Sequence, residues 1–489
     1  MDRVKAVLRD TSLFRRSYIV CLFLCNVSFV QIAAYGLLIL LFLWGIGLLF
    51  YNEYKKHTIL KTRYAVWLLI FLLFTTVTAV IHIKDNFIYN MVIEFHFAIC
   101  FFIFYSVHTE KHLNFRRELY SVCRFIVYFT TVVGIIGISF LMAGINFEVL
   151  WVKLIIYENR FTGFYTNPNI LGFVSAVAVF CCHMLTKKDF IAISGKERVS
   201  RIWIGSCLAV NLICLLLCDS NAALVLILAY VVFFVTYKMF GAERSFTVKQ
   251  IVTKGIACVL VGAFIIGSVY FVRLVFQKGF SEVMSAADMI SETVNKEEEE
   301  LLEEDVLSAT NRITFSHINK NVDSGRFRLW KQAAKMFADF PIFGIGKGNI
   351  YTYGERKFEN GVEFSDLYGE LLAGFVTDFH NGYATILVCS GMMGFLAFSV
   401  FGLRFLKHIT PFVFKEENLT ESILPPMYSF VLAYLVYAFF EKALLYDITF
   451  TVVFFWMIIG YISCFLVKFE PEDHKSFYIF KKRLRRTLL

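Results

Sequence analysis

Long apolar stretches alternate with short polar ones along most of the chain. A bilayer hydrocarbon core of about 30 Å takes a helix of about 20 apolar residues. Stretches of that kind cover 17–32, 34–51, 64–82, 88–107, 121–144, 169–186, 202–218, 221–240, 252–273, 381–403, 424–440 and 447–467. The pattern predicts twelve spans, the first two joined near Gln31. The expected fold is an all-α polytopic integral membrane protein with about 12 transmembrane helices. One large extracytoplasmic loop carries short amphipathic helices. The organisation divides accordingly. A membrane region of about nine helices spans 1–273, the large loop 274–380, and a membrane region of about three helices 381–467. The segment 468–489 is a basic cytoplasmic tail.

Composition agrees with the pattern. Of 489 residues, 58% are hydrophobic and only 18% are charged; Phe alone supplies 56. Such a chain cannot hide its apolar surface in a water-soluble core. The twelve Cys lie almost wholly in apolar runs and form no C-x-x-C. They behave as small hydrophobes, which argues against a disulfide framework and against a thiolate metal site.

The net charge of +9 reflects topology and does not point to nucleic acid. Lys and Arg gather in alternate loops, such as Lys55, Lys56, Lys61 and Arg63, and later Lys187, Lys188 and Arg201. The intervening loops are short and poor in both. The long segment 274–380 holds 11 Lys/Arg against 18 Asp/Glu, a net −7. The positive-inside rule then puts both termini in the cytoplasm and the long segment outside. The basic, then apolar N-terminus leads straight into a second span, so it reads as a retained helix rather than a cleaved signal. The acidic run 296–305 reads as a solvated stretch rather than a metal site, and the basic tail as a topology determinant.

The unusual polar residues fall on the outer side. Asn167-Pro168 reads as an N-cap followed by Pro at the first helical position. Asp219-Ser220-Asn221 and His380-Asn381 open two further helices at that face. A helix N-terminus offers free N–H groups and a partial positive charge, which suit an anion. Arg160 adds a fork suited to phosphate, in a place where an arginine is costly unless it is paired or wet. His380, next to a helix N-terminus, is expected to be neutral and able to take a proton near pH 7. Within the loop, Phe327, Trp330, Ala334 and Phe337 recur at helical spacing, with Arg328, Lys331 and Lys335 as a second stripe. That pattern predicts a helix lying on the membrane by its aromatic face. Gly344-Ile-Gly346-Lys347-Gly348 does not match a P-loop and reads as a turn packed on the membrane region.

These residues together resemble the O-antigen ligase and polymerase superfamily of bacterial membrane glycosyltransferases. Three motifs carry the likeness. They are Arg160-x-x-Gly163 with Asn167-Pro168-Asn169-x-x-Gly172; Ser324-Gly325-Arg326-x-x-x-Trp330 with Pro341-x-x-Gly344-x-Gly346; and His380-Asn381, nine residues, then Gly391-x-x-Gly394. The layout with one large outer loop before that histidine is similar too. Many members carry Ser-Arg between spans seven and eight, where this chain has Ser220-Asn221.

The resemblance implies an enzyme of the bacterial cytoplasmic membrane. It would move or polymerise undecaprenyl-diphosphate-linked glycan for surface polysaccharide, without metal or cofactor. His380 would be the general base. Arg160 and Arg326 would hold the diphosphate with Asn167, Asn169 and Asn381, and Arg328 is a candidate replacement for the arginine absent at Asn221. Ser220 and Glu441 are further candidates at the same face. Expected partners are the lipid-linked glycan, the bilayer and, as a candidate, a chain-length regulator. Polymerase is slightly preferred over a ligase acting toward lipid A-core or another acceptor. A flippase is the non-enzyme rival, and would call for paired charges in mid-span; Glu94 is the clearest charge there.

Overall fold

The computed structural model describes residues 2–110, 113–149, 152–157, 159–191, 193, 200–240, 248–296, 313, 326–357, 378–415 and 421–467. The acidic run past Lys296 and the tail 468–489 lie outside the described residues. The longer helices are α1 Thr11–Leu24, α2 Gln31–Lys56, α3 Ala65–Ile81, α4 Phe87–Ile99 and α5 Phe115–Met142. They continue with α6 Pro168–Leu185, α7 Arg201–Leu217, α8 Asn221–Phe240 and α9 Val248–Lys296. The last are α10 Arg326–Asp339, α11 Gly382–Lys415, α12 Leu424–Tyr437 and α13 Phe450–Val467. Among the described residues, seven helices are long and apolar enough to cross a membrane, with four shorter apolar helices beside them.

Three features depart from the expected pattern. First, the chain is not all helix. Strands β1 Phe147–Val149, β2 Val152–Tyr157 and β3 Arg160–Gly163 form an antiparallel sheet. Val152–Tyr157 alternates poorly but is rich in β-branched and aromatic residues, and short apolar runs of that kind are ambiguous by pattern alone. Second, the break between α1 and α2 falls at 25–30, ahead of Gln31. The exposed backbone finds partners there: Ser28 N–H donates to Phe164 O at 3.0 Å, and Thr166 N–H to Asn26 O at 3.1 Å. Backbone groups freed at such a break need partners, and here protein supplies them. Third, α9 does not stop at 273. It runs through to Lys296 as one helix of 49 residues, about 73 Å long.

The centre of the bundle is aromatic. Phe101, Tyr105, Phe398 and Phe401 gather around Trp456 of α13, with ring centroids 4.6–6.3 Å apart. Two of the buried and half-buried charged groups are held by side chains of neighbouring helices. Arg15 is fully buried and donates through Nε to Glu118 at 2.8 Å, and also binds Glu110. Glu94 accepts from the Thr75 and Thr76 hydroxyls at 2.6 and 3.0 Å.

α11 is broken inside its span. Gly391 has φ 63°, a left-handed value that glycine adopts without a Cβ penalty. The segment 341–346 docks into the break by backbone alone. Ile345 N–H donates to Val388 O at 3.0 Å, and Gly346 N–H to Cys389 O at 3.0 Å. In return Met392 N–H donates to Pro341 O at 2.8 Å. A Cβ on Gly391 would stand 2.2 Å from Ile342 O, and one on Gly344 2.5 Å from Val388 O. The two glycine motifs of the sequence are therefore one backbone joint. Through it α10 is fastened to α11.

Candidate functional site

The first half of the site is the start of α6. Asn167 Oδ1 accepts from the N–H groups of Asn169 at 2.7 Å and Ile170 at 3.3 Å, as the N-cap reading expects. Arg160, at the start of β3, lies against this end. Its Nη2 donates to Asn169 Oδ1 at 2.9 Å and its Nε to Cys218 O at 2.9 Å. Gly172 lets α6 approach the 218–220 turn closely; a Cβ there would be 2.7 Å from Ser220 Cβ. Ser220 Oγ accepts from Ala223 N–H at 3.5 Å, a long cap bond.

An arginine does stand at Asn221, delivered by a different helix. Arg273 of α9 donates through Nη1 to Asn221 Oδ1 at 2.8 Å and through Nη2 to Asp219 Oδ1. Gln277 donates to the same Asp219 oxygen at 2.8 Å. Arg328 is not brought to this place. It lies on the exposed face of α10, two residues from Arg326 and so on the other side of the helix. The aromatic face expected for α10 is not its buried face either. Leu329, Gln332, Ala333 and Met336 are buried, and Phe327 is 65% exposed. The helix packs on α11, which selects those positions over the aromatic ones.

The second half is the turn before α11. Asn381 Oδ1 caps the helix by accepting from Tyr383 and Ala384 N–H, each at 3.0 Å. Gly382 N–H donates to Ala438 O at 2.7 Å and Glu441 O at 3.0 Å, so the loop after α12 is held against this turn. His380, at φ 43°, is aimed into the angle between them. Its Nδ1 lies 3.2 Å from Glu441 Oε2 and its Nε2 3.5 Å from Asp378 Oδ1. Arg326 Nη2 meets the other oxygen of Glu441 at 3.3 Å. Arg326 Nε is buried and has no hydrogen-bond partner among the described residues.

Behind the histidine the charges alternate in sign. Asp378 meets Lys442 at 3.0 Å, Lys442 lies 3.7 Å from Asp447, and Asp447 lies 3.8 Å from Lys347. Burial pushes the Asp378 carboxyl up, but His380 and Lys442 outweigh it and hold Asp378 well below the usual carboxylate range. Asp447 goes the other way, because burial outweighs Lys347 and Lys442. For His380, burial lowers the pKa, while Glu441 and Asp378 raise it; the net is a rise above 6.5. The expectation of a neutral imidazole is corrected on this point. Two carboxylates at contact distance exceed a helix dipole.

The two halves touch through aromatic packing. Glu441 N–H donates to Tyr437 O at 3.1 Å, and the Tyr437 ring stacks on Phe173 at 5.4 Å. Phe173 is one turn along α6 from Asn169. This contact joins α6, which carries Asn167 and Asn169 at its start, to the loop that carries Glu441. Asp378, Lys442 and Asp447 around His380, and Arg273 beside Asp219, were not among the candidates read from the sequence. Asp378 sits two residues before the histidine and could have been found by proximity; Arg273 lies over fifty residues from Asp219 and carries no local signal.

Residues 206–399 match the family model described as O-antigen ligase. That stretch is similar to that family's domain. The O-antigen ligase match includes Arg326, His380 and both glycine motifs of the α11 joint. Arg160, Asn167, Asn169 and Glu441 lie outside it, so the geometry is the independent reason to count them. The domain supports a membrane glycosyltransferase of ligase or polymerase type. No curated protein matches the chain.

Proposed function

We propose that this protein polymerises glycan repeats carried on a polyprenyl diphosphate, at the outer face of the bacterial cytoplasmic membrane. The observation that carries the reading is His380 held between two carboxylates, with Arg326 on the far oxygen of one of them. In the proposed step, a hydroxyl of the acceptor sugar attacks C1 of the donor sugar. The C1–O bond to phosphate breaks and the diphosphate leaves with the electron pair. His380, when neutral, takes the hydroxyl proton on Nε2 while Nδ1–H stays on Glu441. Arg326 and Arg160 neutralise the leaving charge, with N–H groups at the start of α6 beside them. No metal is required in this scheme, since the guanidinium groups supply the cationic role. In this reading both termini lie in the cytoplasm, and 274–380 is the outer segment between the two membrane regions.

The family description favours a second reading, ligation of finished glycan to another acceptor. The acceptor alone distinguishes the two. The test is the surface glycan of a strain lacking this protein, complemented with wild type or His380→Ala and run on a gel. A repeat ladder that appears only with wild type supports polymerisation. Polymer in every strain, left on its lipid carrier without wild type, supports ligation. An unchanged glycan in all strains rejects both.

A further inference from the structure

A pair of lysines lies at the opposite end of the bundle from His380. α6 runs 18 residues from its Asn167 cap, about 27 Å, close to the hydrocarbon thickness. Its far end therefore reaches the headgroup zone of the other leaflet. There the loop reads Thr186-Lys187-Lys188-Asp189. Lys188 pairs with Glu421. Asp189 accepts from Ile423 N–H at 3.2 Å and faces Arg116 at 3.8 Å. The nearby acids are committed to these partners. Lys187 turns inward instead and is only 5% exposed. Its ammonium stands 5.2 Å from the centroid of Phe234, and Lys238 of α8 stands 5.0 Å from the same ring.

The rest of the wall is uncharged. The His183 ring lies 4.7 Å from Phe234, and its Nδ1 is hydrogen-bonded to Tyr230. Among the described residues, neither Lys187 nor Lys238 has a carboxylate within ion-pair distance. Burial and Lys238 hold the Lys187 ammonium down to about 8. A lysine in this zone ordinarily carries its charge out to water. Here a buried ammonium shares one aromatic ring with a second, and an aromatic face is a weaker partner than an anion.

We propose that the cleft between the far ends of α6 and α8 binds the phosphate of an anionic phospholipid, through Lys187 and Lys238. Two alkyl chains would lie along the apolar flanks of α6 and α8 and the phosphate against the ammonium pair. The site is independent of the glycosyltransferase reading, since it uses none of the same residues.

The experiment uses the full-length protein in neutral detergent. Its thermal unfolding midpoint is followed during titration with phosphatidylglycerol, phosphatidylcholine or inorganic phosphate. Phosphatidylglycerol should raise the midpoint and phosphatidylcholine should not. Lys187→Gln and Lys238→Gln should each raise the half-effective concentration about fivefold or more, the scale of one lysine at an anionic surface. Lys187→Arg should keep the response, and so should Lys407→Gln, an exposed lysine at the same end of α11. Lys238 is exposed, so Lys238→Gln and Lys187→Arg keep the test open if Lys187→Gln fails to fold. An equal loss in Lys407→Gln, or none in Lys238→Gln, would overturn the site. Inorganic phosphate acting as well as the lipid would overturn the lipid as its ligand.

Discussion

The arginine of α9 and the arginine of α10 each meet a carboxylate, and they are finished to different degrees. Arg273 is closed. It has Asn221 and Asp219 as partners, and Gln277 shares the same carboxylate. Arg326 is open. It holds one oxygen of Glu441 at 3.3 Å, its buried Nε has no acceptor among the described residues, and the adjoining His380 is 30% exposed. A closed centre does structural work, here tying a helix otherwise bathed in lipid to α8. An open centre has donors left for an incoming anion. Arg160 stands between the two, pinned through Nε and Nη2 yet beside the N–H groups of α6.

Removing the open centre should have the largest effect. His380→Ala and Arg326→Ala are each expected to lower glycan product by about 10²–10⁴-fold while the protein stays in the membrane. Gel analysis of glycan beside immunodetection in membranes measures both. A wild-type ladder from either variant breaks the assignment. The closed centre should respond in the opposite sense. Asp219→Ala leaves Arg273 buried without its counter-charge, and a loss of about 3–5 kcal/mol in stability is expected. Thermal unfolding of purified protein would show it, whereas Arg326→Met should move the midpoint far less.

A pH profile sharpens the comparison further. The His380 pKa is raised in the fold, so the base form appears only at higher pH. Activity should rise with pH through the raised value, and Glu441→Gln should shift that limb to lower pH. An unshifted limb would remove Glu441 from the pair. The same linkage acts on stability. The contribution of protonated His380 is complete below the unfolded value near 6.5 and fades as pH rises through the folded one. The smallest change is expected at Ser220→Ala. Its cap bond is 3.5 Å long, so the loss should be near the lower end of the cap range, about 0.5 kcal/mol by thermal unfolding.

The centre of the open site was legible because local rules write it. Asn381 caps its own helix, Asn167 does the same, and both were visible as N-cap residues. Glu441 was only a weak candidate, since its neighbours His380 and Arg326 are 61 and 115 positions away. Long-range pairing of this kind has no periodic trace. The sheet at 147–163 escaped for another reason: its apolar run is as short as a helix fragment. For α10, the aromatic positions repeat well, but burial followed the small and flexible Ala333 and Met336 where α11 comes close.

The break in α11 also bears on the order of assembly. Val388 O and Cys389 O, and the N–H groups of Met392 and Met393, have lost their partners within the helix and gained them in 341–346. In hydrocarbon, such groups are too costly to leave bare. A nascent α11 therefore has two states open to it, a straight helix without its visitor or a broken one with it. The ribosome delivers Arg326 first and His380 later, but the joint at Gly391 sets them in place in a single event.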